Sequence, residues 1–419
     1  MGEKIRILVI NHDNTGGVGH YRSIQPHVAL EEMYKYKYEI TFNSNPVWTN
    51  IPYFLSFDII HVQRGLYEDM TAFRNTIQLM RDNGKVTILD LDDHWKLPHW
   101  HPLHSAALQH KFSEKIVENF KVFEFVTTTT PLFADAIRKF NKNVYVIPNA
   151  IDPSEDRYQI VKTPSDKLRG GMIMGASHKQ DVAILGEIAN KMPKSVMDKI
   201  QFVLCGFDLR GTKTELNKAT GKVVTRNIRP EETVWTYYEK VLTDNYRSVS
   251  ERYNKFLHMY MPDAQYPDVE NEPYMRCWTK DMNHYFKHYE NVDVLLAPLA
   301  NNDFNRVKSQ LKAIECCFSK TALIASNIGP YTIDLVSMFG KGGEYNENGN
   351  ALLIDESKNH KLWVKYIAKL AENPDLVRKL SDNIHESLKD KYSMSAVIKV
   401  RDAAYTEMYE KKKIKTVKL

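Results

Sequence analysis

Short apolar runs alternate with longer amphipathic stretches along most of this chain, and this alternation constrains the fold more than any other feature. Such a pattern is typical of parallel strands joined by crossover helices. In the first third, the predicted strands are Ile5–Ile10, Glu39–Phe42, Asp58–Val62, Val86–Leu91, Phe125–Thr128 and Val144–Ile147. The predicted helices between them include Glu68–Asp82, His104–Phe120 and Pro131–Phe140.

The alternation stops and then begins again. The polar segment Pro153–Leu168 lacks clear periodicity, which indicates a linker. After it, the predicted strands are Gly171–Met174, Ile200–Cys205, Val292–Ala297, Thr321–Ala325 and Ala351–Ile354, and the predicted helices are Gln180–Lys191, Val307–Cys317 and Lys361–Asn373. Two such series predict an α/β protein with two Rossmann-like domains facing across a cleft, where ligands bind beyond the carboxyl ends of the strands.

The predicted domains are residues 1–155 and residues 156–393, followed by a last helical segment, 394–419. Within the second domain the alternation fails between about 210 and 275, which indicates an insertion. This insertion carries a predicted helix, Glu231–Leu242, and a loop-like piece, Pro262–Pro273. The sequence leaves open whether the insertion is a lid, a partner surface or a decoration.

Composition bounds the class of protein only loosely. The chain has 419 residues and a net charge of +5, which permits an anionic partner such as a nucleotide, an acidic membrane or a nucleic acid but requires none. The four cysteines have no CxxC spacing, as expected for buried thiols in a reducing cytoplasm. No signal peptide and no membrane-spanning run of roughly 20 apolar residues is expected.

A glycine-rich segment follows the first predicted strand. Gly17 and Gly19 would let the backbone approach a ligand, and the next helix would point its N–H groups at that ligand. The third glycine and the later acidic residue of a dinucleotide fingerprint are missing, so a nicotinamide site is disfavoured. An ordinary tight turn between strand and helix is the alternative.

A cluster of acidic residues ends the predicted strand Val86–Leu91. Asp90 and Asp92 share a face of the strand, while Asp93 and His94 begin the loop. Neighbouring carboxylates repel one another, so such a cluster usually has a function. It could hold a hard metal cation, bind acceptor hydroxyls or cap a helix, and the residues alone leave these open. The histidine spacing that follows does not match a zinc motif.

A third group lies on the predicted helix Val307–Cys317. Lys308, Lys312 and Glu315 would share one side of this helix, with Lys308 and Ser309 in its first turn. A cation there opposes the helix dipole unless an anion such as a diphosphate binds. A carboxylate further along could accept hydrogen bonds from two ribose hydroxyls. The alternative is a lysine–glutamate pair on a solvated face.

Together these segments resemble the group 1 (family four) glycosyltransferases. The resemblance covers most of the chain apart from roughly 210–275, and it rests on the third group with its flanks Asp293–Leu299 and Ala322–Tyr331, on Thr127–Leu132 with Val144–Asp152, on Asn348–Leu353 and on Gly17–Arg22. It implies the GT-B fold and a retaining, metal-independent transfer of a sugar from a nucleotide-sugar donor. It also implies that the last helix, about Met394–Glu410, crosses back to the N-terminal domain.

One position departs from the family pattern. The family often carries Glu-x7-Glu, and Glu315 matches the second glutamate, which binds the donor ribose, while Val307 occupies the position of the first. A subgroup instead carries Lys-Ser-x-x-Lys-x-x-Glu, which this chain matches, so Lys308 and Ser309 are expected to meet phosphate. The missing glutamate keeps a non-catalytic GT-B-shaped binding subunit as an alternative. A phosphorylase or an epimerase on the same fold is a further alternative function.

The resemblance assigns a role to each site residue. The predicted catalytic residues are Lys308, Asp93 and His94; the predicted donor-binding residues are Gly17, Gly19, His178, Lys179, Ser309, Lys312 and Glu315; the predicted acceptor-binding residues are His20, Arg22 and Asp92. No cofactor and no metal are expected, since the nucleotide sugar is a substrate.

The acceptor is left open by the sequence. The family default is a glycan or a lipid-linked intermediate, and the resemblance places such an enzyme in the cytoplasm or in peripheral contact with the inner membrane surface. The positive charge and the aromatic-rich insertion keep a modified nucleic-acid base as an alternative acceptor. Glycoside hydrolysis is disfavoured, since no carboxylate pair at glycosidase spacing can be argued from the sequence.

Overall fold

The computed structural model describes residues 3–417 apart from 14, 187, 209, 217–219, 244–273 and 356–359. A six-stranded sheet forms the first domain, with the strand order β2-β1-β3-β4-β5-β6 and every neighbouring pair parallel. Its strands are β1 Ile5–Ile10, β2 Tyr38–Phe42, β3 Ile59–Gln63, β4 Val86–Leu91, β5 Phe125–Thr128 and β6 Val144–Val146.

The helices of the first domain flank this sheet. They are Gln25–Met33, Ile51–Leu55, Met70–Asp82, His104–Gln109, Phe112–Val122 and Pro131–Ile137, and a π-helical turn, Gly19–Ile24, precedes the first. The single helix predicted over His104–Phe120 is wrong, because Lys111 adopts a left-handed conformation with φ 53° and separates two helices. The helix predicted over Glu68–Asp82 begins at Met70, two residues later, since the Asp69 carboxylate caps it by accepting hydrogen bonds from the first backbone N–H groups.

A second six-stranded parallel sheet forms the other domain, in the order β11-β8-β7-β12-β13-β14, and β9 and β10 make a separate antiparallel pair. The strands are β7 Leu168–Ile173, β8 Ile200–Phe207, β9 Thr212–Leu216, β10 Val223–Asn227, β11 Tyr274–Trp278, β12 Val294–Ala297, β13 Ala322–Ser326 and β14 Leu352–Ile354. The α-helices are Lys179–Val182, Lys194–Met197, Val234–Thr243, Asp303–Arg306, Leu311–Ser319, His360–Glu372, Pro374–Tyr392 and Met394–Val417. The predicted pair of Rossmann-like domains is confirmed.

The insertion contributes more to this sheet than its sequence predicts. Its predicted helix is present as Val234–Thr243, and β11 at its end pairs with β8 as the edge strand. The loop-like piece Pro262–Pro273 lies outside the described residues. The β9–β10 hairpin was also missed, because its strands are mostly exposed and polar and show no apolar run.

Two predicted helices of the second domain are shorter than expected. Instead of Gln180–Lys191, a helix Lys179–Val182 is followed by two single turns of 3₁₀ helix. The predicted Val307–Cys317 begins only at Leu311, after the cap Gln310. Val307 ends the preceding short helix because its side chain is buried in the apolar cluster of the first domain, which draws the chain away from a helical path.

The last helix, Met394–Val417, packs on the sheet of the first domain. Its apolar residues join a buried cluster with β1 and β4, which contains Ile5, Ile7, Val9, Ile88, Met394, Val397, Ile398, Tyr405 and Met408. Lys412 near its end forms a buried ion pair with Glu124, at 2.5 Å. Across the part of the chain that is described, no helix combines the length and the apolar character needed to cross a bilayer.

This packing predicts a contrast between two positions on the last helix. Ile398 is fully buried, so Ile398→Ala should lower the free energy of unfolding by about 2–5 kcal/mol. Val400 is 45% exposed on the same helix, so Val400→Ala should change it by less than about 0.5 kcal/mol. Urea unfolding followed by circular dichroism measures both. Equal effects would show that the helix does not pack on the sheet as described.

Candidate active site

A cleft of about 380 Å³ lies between the two domains, at the carboxyl ends of the strands. Most of the predicted site residues line it, namely Gly17, Arg22, Asp92, Asp93, His178, Lys308, Ser309, Lys312 and Glu315. The first domain contributes the carboxylates and the glycine turn, and the second contributes the lysines and Glu315. The cleft therefore has an acidic wall facing a mostly basic one.

Glu315 is the most unusual group in the cleft. It is fully buried, and its Oε2 accepts hydrogen bonds from the Tyr289 hydroxyl and from Lys312 Nζ, both at 2.7 Å. Its Oε1 has no hydrogen-bond partner among the described residues. Lys312 Nζ also donates to the Tyr285 hydroxyl at 2.5 Å. Burial alone would lower the pKa of Lys312, but the Glu315 carboxylate outweighs burial and raises it, so this lysine is charged.

Lys308 is held more loosely than Lys312. It was predicted in the first turn of a helix, but together with Ser309 it lies in the non-helical segment before the cap Gln310. Its Nζ is 3.9 Å from Asp93 Oδ1 on the other domain and 4.7 Å from the centre of the Phe304 ring. No hydrogen bond to this ammonium group is formed by the described residues, so Lys308 can rearrange towards an anion.

Arg22 holds the acidic wall together through buried hydrogen bonds. Its guanidinium is buried and binds both oxygens of Asp90, at 2.6 and 3.1 Å. It also donates to the Ile147 carbonyl at 2.7 Å and to Asn149 Oδ1 at 3.2 Å. Burial raises the pKa of Asp90, but Arg22 more than offsets that effect and lowers it. Arg22 was predicted to bind the acceptor, yet most of its donors are already used within the fold.

Asp92 and Asp93 are adjacent, but they have different partners and their pKa values shift in opposite directions. Asp92 receives a forked contact from Arg64, with distances of 3.2–3.3 Å. Burial and the neighbouring carboxylates raise the pKa of Asp92 despite Arg64, whereas Lys308 and Arg64 together outweigh burial and lower the pKa of Asp93. The ionised form is therefore favoured at Asp93 and disfavoured at Asp92. No cluster of three or more metal-ligating side chains occurs within the described ranges.

Sequence reasoning missed Arg64 and the two tyrosines that hold Lys312 and Glu315. Arg64 follows β3 directly, at the same sheet edge as the end of β4, and this position was the available signal. Its φ of 58° is unusual for a non-glycine residue, and the contact with Asp92 holds it there. Tyr285 and Tyr289 lie in a 3₁₀ segment, Tyr285–Asn291, that gives no periodic signal.

His178 lies at the start of the first crossover of the second domain. Its Nδ1 is 2.7 Å from Asp181 Oδ2, which fixes the ring and leaves Nε2 for the cleft. Asp181 is itself held by the Ala300 N–H and the Asn305 side-chain amide, at 2.7 and 2.8 Å. Burial, then the charge of Lys308, lowers the pKa of His178, so the ring is neutral at pH 7.

Two residues of the glycine turn do not line the cleft. Gly19 packs against the main chain of Asp13, where an added Cβ would lie 1.5 Å from the carbonyl oxygen. His20 points towards the linker, and its Nε2 is 2.9 Å from the Tyr158 hydroxyl. Burial lowers the pKa of His20 to about 4. The structure therefore does not bring these two residues to the cleft, where the donor and acceptor contacts were predicted for them.

Two further predicted residues also lie outside the cleft. Lys179 directs its ammonium group over the Tyr237 ring, 5.2 Å from the ring centre. His94 stacks on Trp95, with ring centres 4.3 Å apart, and lines a neighbouring groove. The chain turns sharply after β4, so Asp93 faces the cleft while His94 faces this groove.

No protein-family model and no curated protein sequence matches the chain at a significant level. Solved structures do match. HepE from Anabaena, in complex with UDP and glucose, has a TM-score of 0.59 at 10% identity, covering 96% of this chain and 100% of that one. An alpha-glucosyltransferase in complex with UDP-glucose and DNA containing an abasic site has a TM-score of 0.55 at 11% identity, covering 96% and 100%.

An alpha,alpha-trehalose-phosphate synthase (UDP-forming) from Burkholderia vietnamiensis has a TM-score of 0.53 at 11% identity, covering 97% of this chain and 99% of that one. All three likenesses extend over both domains. The chain has the GT-B fold. At such low identity the likeness shows the architecture alone, so function has to be argued from the residues of the cleft.

The electrostatics of the cleft predict a measurable coupling between Lys308 and His178. Lys308→Ala should raise the pKa of His178 towards its usual value of about 6.5, because one nearby positive charge disappears. Burial should keep the pKa below that value. NMR titration of the imidazole nitrogens measures the shift. Lys369→Ala, on the outer helix His360–Glu372, is the control, and an equal shift in both variants would contradict the geometry.

Proposed function

We propose that this protein is a glycosyltransferase that takes its sugar from a nucleotide-sugar donor bound against the second domain. The observation that carries this proposal is Glu315 Oε1, a buried carboxylate oxygen at the cleft wall without a partner among the described residues. Leaving a charged acceptor unpaired is costly. The vicinal hydroxyls of a ribose would donate to it, and the solved neighbours contain UDP or UDP-glucose, which supports a uridine diphosphate donor.

The diphosphate of such a donor would lie beside Lys308 and Ser309, and His178 would donate to it only after Nε2 takes up a proton, because Asp181 already holds the hydrogen on Nδ1. In the reaction the bond between the anomeric carbon and the diphosphate oxygen breaks, and negative charge develops on the leaving group. Fixed positive charge and hydrogen-bond donors stabilise that charge best when they are in place beforehand. Lys308 is the more available cation, because Lys312 is already held by Glu315 and Tyr285.

The acceptor would approach from the first domain. Its hydroxyl oxygen bonds to the anomeric carbon on the face from which the diphosphate leaves, and its proton passes to a phosphate oxygen, so the configuration is retained. Asp93, ionised and 3.9 Å from Lys308, is placed to orient that hydroxyl. Asp90 and Asp92 have arginine partners and contribute to the fold of this wall.

The first test of this proposal concerns Glu315. Glu315→Gln should weaken UDP binding by about 10- to 150-fold, since a hydrogen bond to a charged group contributes about 1.5–3 kcal/mol. Tyr289→Phe is the matched control, because it removes a hydrogen bond from Oε2 and leaves Oε1 intact. Isothermal titration calorimetry with UDP measures both. Wild-type affinity in Glu315→Gln would mean that the nucleotide binds elsewhere.

A second test concerns the source of positive charge. UDP release from UDP-glucose should continue in EDTA, because Lys308 supplies the positive charge and the Ser309 hydroxyl a hydrogen-bond donor at the diphosphate. Lys308→Ala should lower kcat by about 10²- to 10³-fold and raise KM less, since leaving-group charge grows in the transition state. Added manganese should not restore the variant.

Lys179→Ala is the control for this test, because its ammonium group lies over Tyr237 and outside the cleft. The melting temperature of Lys308→Ala should stay near that of the wild type, since a partly exposed pair at 3.9 Å contributes at most about 1 kcal/mol. Loss of activity in EDTA with recovery in manganese would overturn metal independence. UDP binding without any UDP release would instead support a non-catalytic binding subunit.

A further inference from the structure

A second groove of about 550 Å³ runs beside the cleft and is also lined by both domains. One wall is formed by the segment 94–100 and by Lys139 and Phe140, and the other by 302–304. The groove adjoins the cleft at two points. At the first point, Asp93 faces the cleft and the next residue, His94, faces the groove. At the second point, Phe304 lines the groove while its ring lies against Lys308 of the cleft. A ligand in the groove would therefore reach Asp93 and Lys308.

The floor of this groove is aromatic, with His94 above the buried ring of Trp95. Trp95 is only 6% exposed, yet its indole N–H has no acceptor among the described residues. His94 stacks on Trp95 with an angle of 16° between the rings, and its Nδ1 accepts a hydrogen bond from the Lys96 N–H at 3.0 Å. The neutral His94 ring therefore carries its hydrogen on Nε2. Trp100 adds a third, partly exposed ring.

The charges of the groove are mixed. Lys96 and Lys139 are positive, Asp303 is negative, and the Asn302 side chain both donates and accepts hydrogen bonds. A nucleic-acid strand would need a continuous basic track along its phosphates. A sugar ring instead offers an apolar C–H face for an aromatic ring and hydroxyl groups that both donate and accept. The mixed polar rim around an aromatic floor fits the second ligand.

We propose that this groove binds the acceptor, and that the acceptor is a carbohydrate whose terminal sugar ring packs on the aromatic floor with its reacting hydroxyl beside Asp93. This inference rests on the proposed glycosyltransferase function. It assigns acceptor recognition to Trp100, His94 and Asp303, with Trp95 as the buried ring that supports His94. Arg22 and His20, predicted for that role from the sequence, are engaged within the fold.

The test measures donor and acceptor reactions separately. UDP-glucose is incubated with the full-length protein and with maltose, cellobiose or N,N′-diacetylchitobiose, and both UDP release and the glycosylated product are measured. At least one disaccharide should give product. Trp100→Ala should raise the KM for that disaccharide by about tenfold, the loss of one aromatic contact. The KM for UDP-glucose and its hydrolysis in water should stay unchanged.

Two further variants keep the result interpretable. Asp303→Ala removes an exposed groove side chain without a folding risk and should also raise the KM for the disaccharide. Tyr345→Ala, 52% exposed and outside the groove, should not.

The inference is overturned if UDP-glucose is hydrolysed but no disaccharide is glycosylated, or if product forms only on a single-stranded oligonucleotide or on lipid vesicles. An unchanged acceptor KM in both groove variants would also overturn it. Failure of the proposed function would look different, because UDP would then not be released from UDP-glucose, whether or not UDP binds.

Discussion

A buried ion pair between Arg22 and Asp90 joins the segments that meet at the carboxyl edge of the first sheet. Arg22 lies in the turn after β1 and Asp90 in β4, while the same guanidinium reaches the Ile147 carbonyl and Asn149 after β6. Thr127 of β5 donates to Asp90 at 2.7 Å. Removing one partner of such a pair costs about 3–5 kcal/mol, because the other charge is left buried. The acidic wall of the cleft keeps its shape through this contact.

The second domain positions its cations by close packing. Gly329 lies against the main chain of Arg306 with φ 52°, and an added Cβ would be 2.7 Å from Arg306 atoms. Val307 is buried in the apolar cluster of the first domain, so the next residue, Lys308, is presented across the cleft to Asp93. The position where the resembling family often has a glutamate is thus used here to join the domains. Its loss is compatible with catalysis if Lys308 meets the phosphate.

The fold was largely predictable because parallel strands buried on both faces appear as continuous apolar runs, and β1, β4 and β5 have the predicted bounds. Two helix breaks could not be predicted. The break at Lys111 depends on a left-handed backbone, and the break before Leu311 depends on the tertiary burial of Val307. Most of the residues that line the cleft could be predicted, because the carboxyl ends of parallel strands meet at one edge of a sheet. The partners could not be predicted: Arg64 and Asp92, or Tyr289 and Glu315, are brought together only by the fold.

The end of β4 shows why residue type alone could not assign these roles. Asp90 binds Arg22, Asp92 binds Arg64, Asp93 faces Lys308 in the cleft, and His94 turns into the aromatic groove. Within five residues the chain passes from a buried structural charge to a carboxylate beside the proposed diphosphate position and then to a stacked aromatic ring. Asp90 and Asp92 have closer arginine partners, while Asp93 lies 3.9 Å from both Arg64 and Lys308 and faces Lys308 across the cleft. In the proposed function, donor and acceptor regions would therefore meet at one strand end, which would explain why like charges are concentrated there despite their mutual repulsion.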